Sequence, residues 1–198
     1  PTASVYSQSV EIRDSIPRVI AEAEKLGYAI DKMAIGGGSA GHTLAMIYAY
    51  RDAAQAPVPV ALTFGGVGPA SLYQEDWGIF GLDQSDDACA GLFSVMAGTA
   101  ISPAEVADGS YLDKIKPISA ADWVTADSPA TVVAYGTHHK MQPFLASLRL
   151  KSALEEYSVD HKYFELPHSG HGLQNDNKIY KQWLNAVEEY LDVYLPVE

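Results

Sequence analysis

Cysteine is almost absent from this sequence: Cys89 is the only one in 198 residues. A single thiol cannot form an internal disulfide. That excludes a disulfide-stapled scaffold and fits a reducing, cytoplasmic setting. Cys89 lies in DDACAGLF with no activating neighbour, so it is expected to be a small buried side chain rather than a reactive one. Basic residues are also scarce. Thirteen Lys and Arg stand against 25 Asp and Glu, a net charge of −12. A surface of that sign repels phosphate backbones, so nucleic acid is not an expected partner. No apolar run approaches the ~20 residues that span a bilayer. PTASVYSQSVEIRD has no basic segment leading into an apolar one, as a secretory leader would. Neither a membrane nor a leader is expected.

The rest of the composition is that of a globular protein, with 47% hydrophobic and 19% charged residues. The length suits one domain over residues 1–198 with a real core. Glu11 to Gly27 reads as an amphipathic helix, with Pro17 confined to its first turn. KMAIGG reads as a short buried strand, and His42 to Ala54 as a helix. PVPVALTFGG is a second strand, ATVVAYG a third and HKYFELP a fourth. Pro143 to Tyr157 and Tyr180 to Leu195 read as helices, the latter with Trp183, Val187, Tyr190 and Tyr194 on one stripe. Residues 67–129 are too long for a plain connection and read as a lid-like insertion. Strands alternating with helices predict an α/β fold: a mostly parallel sheet covered on both faces, with ligands beyond the carboxyl ends of its strands.

One stretch carries chemistry. Gly37-Gly38-Ser39-Ala40-Gly41 fits G-x-S-x-G between a predicted strand and a predicted helix. A strand that turns sharply into a helix at Ser39 forces the serine into a strained conformation and lifts its hydroxyl clear of the sheet. Residues two before and two after would collide unless very small, and Gly37 and Gly41 meet that need. The turn also sets the Ala40 N–H at a helix N-terminus, where a developing oxyanion is stabilised. No G-K-[ST] follows these glycines, so a phosphate-cradling loop is not expected, and no cofactor is. A serine hydroxyl needs a base to take its proton. LPHSGHGL, after the last strand, offers His171 between two glycines and His168 three residues earlier. His171 is the better candidate, while His42 is expected to pack or cap at the start of its helix.

These residues resemble the α/β-hydrolase superfamily, in its esterase and lipase branch of acetylxylan-esterase-like and carboxylesterase-like proteins. The resemblance rests on GGGSAGHTLAMIYAYR, DSPATVVAYGTHHKMQPF and LPHSGHGL, in that order, from about residue 10 to the C-terminus. It implies Ser39 as nucleophile, His171 as general base, the Ala40 N–H as an oxyanion donor, and a small carboxylic ester as substrate, cleaved through an acyl-enzyme. The family's acid falls at the fourth residue of Gly136-Thr137-His138-His139, so His139 occupies the acid position, where a histidine supplies no fixed negative charge. Asp76 and Asp83 are substitute acids to test against a structure. The family also places strands before the serine's helix, and the resemblance covers only its C-terminal portion. A missing N-terminal segment or a homo-oligomer is the expected cover for the sheet edge. Two other readings stay open. One is a catalytically impaired hydrolase-like fragment or binding module. The other is a zinc or nickel site from His138 or His139 with His168 or His171, for which no third ligand is evident.

Overall fold

The strands read from the sequence all form, and they line up in chain order. The structure, a computed structural model, describes residues 3–138 and 143–196. Strands β1 (Met33–Gly38), β2 (Val60–Gly66), β3 (Ala130–Gly136) and β4 (His161–Leu166) make one parallel sheet in the order β1-β2-β3-β4. Ile35 sits opposite Thr63, Leu62 opposite Ala130 and Val133 opposite Tyr163.

The central strand β3 is buried along its whole length, which is why ATVVAYG is a continuous apolar run rather than an alternating one. Its side chains still alternate between two faces. Val133 and Tyr135 pack with Met46 and Ile47 of α2 (Ala40–Ile47) and with Leu150 and Leu154 of α6 (Phe144–Glu156). Val132 packs with Ala186, Val187 and Tyr190 of α7 (Asn177–Tyr194). Burial of a Leu or Val side chain stabilises by about 1.5–3 kcal/mol, so these two cores outweigh local propensity.

The segment between β2 and β3 is mostly helical. It holds a 3-10 helix, Gln74–Phe80, followed by α3 (Asp86–Ala97), α4 (Pro103–Asp108) and α5 (Tyr111–Ile115). Trp77, Phe93, Ile115 and Ile118 join the core on the α2 face, so much of this segment is built into the body of the protein. Cys89 is fully buried in α3, and burial pushes its thiol up to about 11, as expected of an inert side chain.

Three readings need correction. The first helix, α1, runs Val5–Lys25 with Pro17 in its interior. Its start is sealed six residues earlier than the pattern indicates by a reciprocal cap. The Ser7 N–H donates to Ser4 Oγ at 3.0 Å and the Ser4 N–H to Ser7 Oγ at 2.8 Å. The second helix does not run unbroken to Ala54: α2 gives way to a π turn, Tyr48–Asp52, and a short 3-10 turn. Strand β1 is only half-buried and the sheet is not covered evenly, because β1 lies at the edge and α7 packs over β2, β3 and β4.

The π turn places a buried ion pair where three elements meet. Arg51 donates to Asp52 through Nε (2.8 Å) and Nη2 (2.6 Å), to the Pro117 carbonyl through Nη1 (2.5 Å), and to Ser9 Oγ of α1 (3.1 Å). Asp52→Ala leaves this guanidinium buried without its counter-charge and is expected to cost about 3–5 kcal/mol. Replacing both residues by apolar ones of similar volume should cost less than that. Urea unfolding of the two variants checks the order.

Candidate active site

Strand β1 stops because its last residues cannot continue it. Ser39 takes φ 55°, ψ −126°, a region that costs a non-glycine residue about 1–3 kcal/mol. The Ser39 N–H donates to the Gly66 carbonyl at the end of β2 (3.0 Å), and the His42 and Thr43 N–H groups donate to the Ser39 carbonyl (3.0 and 3.1 Å). The strained residue is therefore held on both sides by backbone. The chain folds back so tightly that a Cβ on Gly37 would lie 2.4 Å from the Gly41 carbonyl carbon. The requirement is one-sided: a Cβ on Gly41 would meet nothing within 4 Å, so only Gly37 is forced to be glycine.

Gly36, Gly38 and Gly41 also meet the G-x-G-x-x-G spacing of a dinucleotide loop. Such a loop works with an acidic residue about 20 residues on. Here the next strand ends in Phe64-Gly65-Gly66, so that partner is absent.

Ser39 is half-buried and Ala40 is exposed. Ser39 Oγ makes no capping bond to α2 and has no hydrogen-bond partner among the described residues. The Ala40 N–H opens α2, where no intrahelical acceptor exists. Both residues line a cavity of about 390 Å³ whose other walls are mostly apolar, with Leu44, Pro69, Trp77, Phe80, Leu92 and Met96 among them and Gln8 and Thr43 as the polar exceptions.

His42 packs under the turn, as expected. It is fully buried, and its Nδ1 accepts from the Gly68 N–H (3.3 Å). Its Nε2 has no hydrogen-bond partner of ordinary geometry. Burial drives the imidazole down to about 3, with the Gly66 carbonyl acting in the opposite sense, so the ring is neutral at physiological pH. With Thr43 Oγ1 donating to the Pro69 carbonyl (2.9 Å), it fixes the loop after β2 against the serine turn.

His171 stands on the other side of that turn. It is half-buried and borders a groove of about 490 Å³ shared with Gly37, Gly38, Gly66 and Trp183. His171 and Gly38, the residue before Ser39, thus line one groove at the ends of β1 and β2, while Ser39 itself lines the apolar cavity. The loop carrying His171 is pinned by a residue that the sequence reading missed. Asp176, buried, accepts the His168 N–H (2.9 Å) and the Ser169 hydroxyl (2.6 Å) on Oδ2, and pairs with His168 Nδ1 (2.8 Å) on Oδ1. Burial works against this carboxylate. The bonds from Ser169 and His168 outweigh it and hold Asp176 below the ordinary aspartate value of 3.8. His168, largely exposed, is therefore committed to Asp176. The only sequence signal was an aspartate just before a helical stripe, which reads as an ordinary helix start.

The loop after β3 is laced to the same place. The His138 N–H donates to the Ser169 carbonyl (3.1 Å) and Thr137 Oγ1 to the Pro167 carbonyl (3.1 Å). His139, at the expected acid position, lies outside the described residues. Of the substitute acids, Asp76 is tied to Arg149 and Ser71, and Asp83 pairs with Gln84 in an exposed turn. Among the described residues no group of three His, Cys, Asp or Glu side chains is placed to hold a metal, and no helix is long and apolar enough to cross a membrane.

No sequence family and no curated protein matches this chain. Solved structures do. An esterase, Est2, of the Planctomycetes species Thermogutta terrifontis superposes with a TM-score of 0.72 at 18% identity, over 98% of this chain and 66% of its own. The acetyl ester-xyloside bifunctional hydrolase of Caldicellulosiruptor lactoaceticus gives 0.66 at 18% identity, over 96% and 66%. Esterase 2 of Thermogutta terrifontis phosphoramylated by tabun gives 0.69 at 17% identity, over 100% and 68%. The fold is the α/β-hydrolase fold. The chain spans about two thirds of the length of these structures. The groove beside His171 is lined by the last residues of β1 and β2 together with Tyr180 and Trp183 of α7.

Two outcomes test this geometry. Gly37→Ala drives a methyl group into backbone and should cost about 2 kcal/mol or more. Gly41→Ala replaces a helical glycine in open space and should stabilise by up to about 1 kcal/mol. Thermal unfolding of the pair reads the opposite signs. The second concerns Asp176. Its folded pKa is depressed, so it contributes stability above pH 3.8 that is lost as the pH falls through the folded value. The stability gap between wild type and Asp176→Asn should therefore be constant near neutrality and close on acidification below 3.8, as read by urea midpoints against pH.

Proposed function

We propose that the chain carries the catalytic site of a serine hydrolase acting on carboxylic esters. The observation that supports this most is the left-handed, strained Ser39 on a strand-to-helix turn, facing an apolar cavity and next to a groove that holds an imidazole. In this reading Ser39 Oγ attacks the acyl carbon while His171 takes its proton. The oxyanion of the tetrahedral intermediate accepts a hydrogen bond from the Ala40 N–H. Collapse expels the alcohol, which leaves with the proton from His171, and water repeats the sequence on the acyl-enzyme. Ser39 and His171 are not hydrogen-bonded in this structure. Such contacts are often long in unliganded enzymes and tighten with substrate.

The substrate is a small ester whose apolar part faces Trp77, Phe80, Leu92 and Met96. Structures of the Thermogutta esterase with propionate and butyrate bound are among those with this fold and favour a short acyl chain. The segment 67–129 serves as the lid-like insertion that supplies part of the wall of the cavity, opposite Val5 and Leu44. Position 139 holds the place of the acid that orients His171, and its histidine favours a second reading, a hydrolase-like domain with weak or no turnover.

A fluorophosphonate probe separates the two. It is expected to label the chain at Ser39 and to leave Ser39→Ala unlabelled; absence of labelling in excess probe leaves only the second reading. His139→Asp restores a carboxylate and should raise kcat for p-nitrophenyl butyrate by at least about tenfold, since wrong orientation of the base alone costs up to about 10⁴-fold.

A further inference from the structure

The 3-10 helix Gln74–Phe80 has two working sides. On one, Trp77 and Phe80 wall the Ser39 cavity, with ring centroids 5.7 Å apart and Trp77 edge-on to Phe93 at 5.4 Å. On the other, Glu75 and Asp76 face α6, and one side chain there gathers them. Arg149 Nε donates to Asp76 Oδ2, and Nη2 donates to Asp76 Oδ1 (3.3 Å) and Glu75 Oε1 (2.7 Å). Its guanidinium carbon lies 3.9 Å from the centroid of the Tyr73 ring. Among the described residues, the ion pairs between 67–129 and α6 all run through Arg149.

A planar fork suits this task. It meets a carboxylate from two directions and stacks on an aromatic face, which an ammonium cannot do. The grip is also accessible. Arg149 lines an open cleft of about 500 Å³ with Tyr73, Asp76, Asp122 and Glu156, and its side chain is 35% exposed. Its acceptor Asp76 is buried and also takes the Ser71 hydroxyl, so the bond ties α6 to the helix whose next residue, Trp77, sets one wall of the cavity.

We propose that Arg149 is a positioning residue that determines acyl-chain specificity from outside the cavity, by clasping Gln74–Phe80 to α6 and so fixing how far Trp77 and Phe80 reach toward Ser39. The proposal rests on the reading of Ser39 as an esterase nucleophile. With the clasp closed, the cavity fits a short chain closely. Released, the wall recedes, short chains lose contact and longer ones gain room.

The test is kcat/KM for p-nitrophenyl acetate, butyrate and octanoate in wild type, Arg149→Met and Arg149→Lys. Arg149→Met keeps the apolar stem and drops the fork. It should raise the octanoate-to-acetate ratio by at least about tenfold, mainly through KM, as expected when a hydrophobic pocket changes size by a methylene or more. Arg149→Lys should fall between the two. An unchanged ratio, with all three esters altered equally or not at all, overturns the proposal.

A second measurement stands without turnover. In a Trp123→Phe, Trp183→Phe background, Trp77 is the sole tryptophan. Its fluorescence should become at least about twice as quenchable by acrylamide when Arg149→Lys or Arg149→Met is added, because a released wall admits solvent. Equal quenching sinks the clasp, whereas increased quenching in a chain that hydrolyses none of the esters keeps the clasp and removes the esterase reading.

Discussion

Where β1 passes into α2, the Gly37 backbone presses against the Gly41 carbonyl and Ser39 is left in a conformation that few side chains tolerate. That contact is the constraint around which the carboxyl edge of the sheet is arranged. The turn stands because neighbours over-determine it. The Gly66 carbonyl holds the serine N–H, and buried neutral His42 fills the space beneath and holds the Gly68 N–H. Strain at one residue is offset by several ordinary interactions around it, none of which involves the serine hydroxyl.

The loops after β2, β3 and β4 then converge on the same edge by backbone bonds rather than by side chains meeting at random. The Val67 N–H donates to the Ala134 carbonyl, the Thr137 N–H to that of Leu166, and the His138 N–H to that of Ser169. Parallel strands in sequential order send all these loops to one end, as in other open α/β sheets. Asp176 finishes the arrangement by gathering His168 and Ser169 onto one carboxylate, so the segment bearing His171 has a fixed root at each end.

How much of this could be read in advance depended on the range of the interaction responsible. Four strands were legible because each carries its own apolar run, and β3 was clearest because both of its faces are buried. Ser39 was legible because its turn is encoded within five consecutive residues. Pro17 was misplaced because a helix can bridge a proline when capping at Ser4 and packing further along support it, and neither shows as periodicity. Gly41 was credited with a steric duty that falls on Gly37 alone, because the direction of the missing Cβ, not the spacing, decides the clash.

The sequence by itself determined the alternation of strands and helices, the acidic surface and the bend at Ser39, since local pattern and composition carry each of them. Only the tertiary structure decided that β1 is a half-exposed edge, that Asp176 takes His168 while His171 faces the serine's strand, and that Arg149 grips a helix more than 70 residues earlier in the chain. Those outcomes depend on which surfaces meet across the sheet, and a side chain's partner is set by distance in space, which no spacing along the chain records.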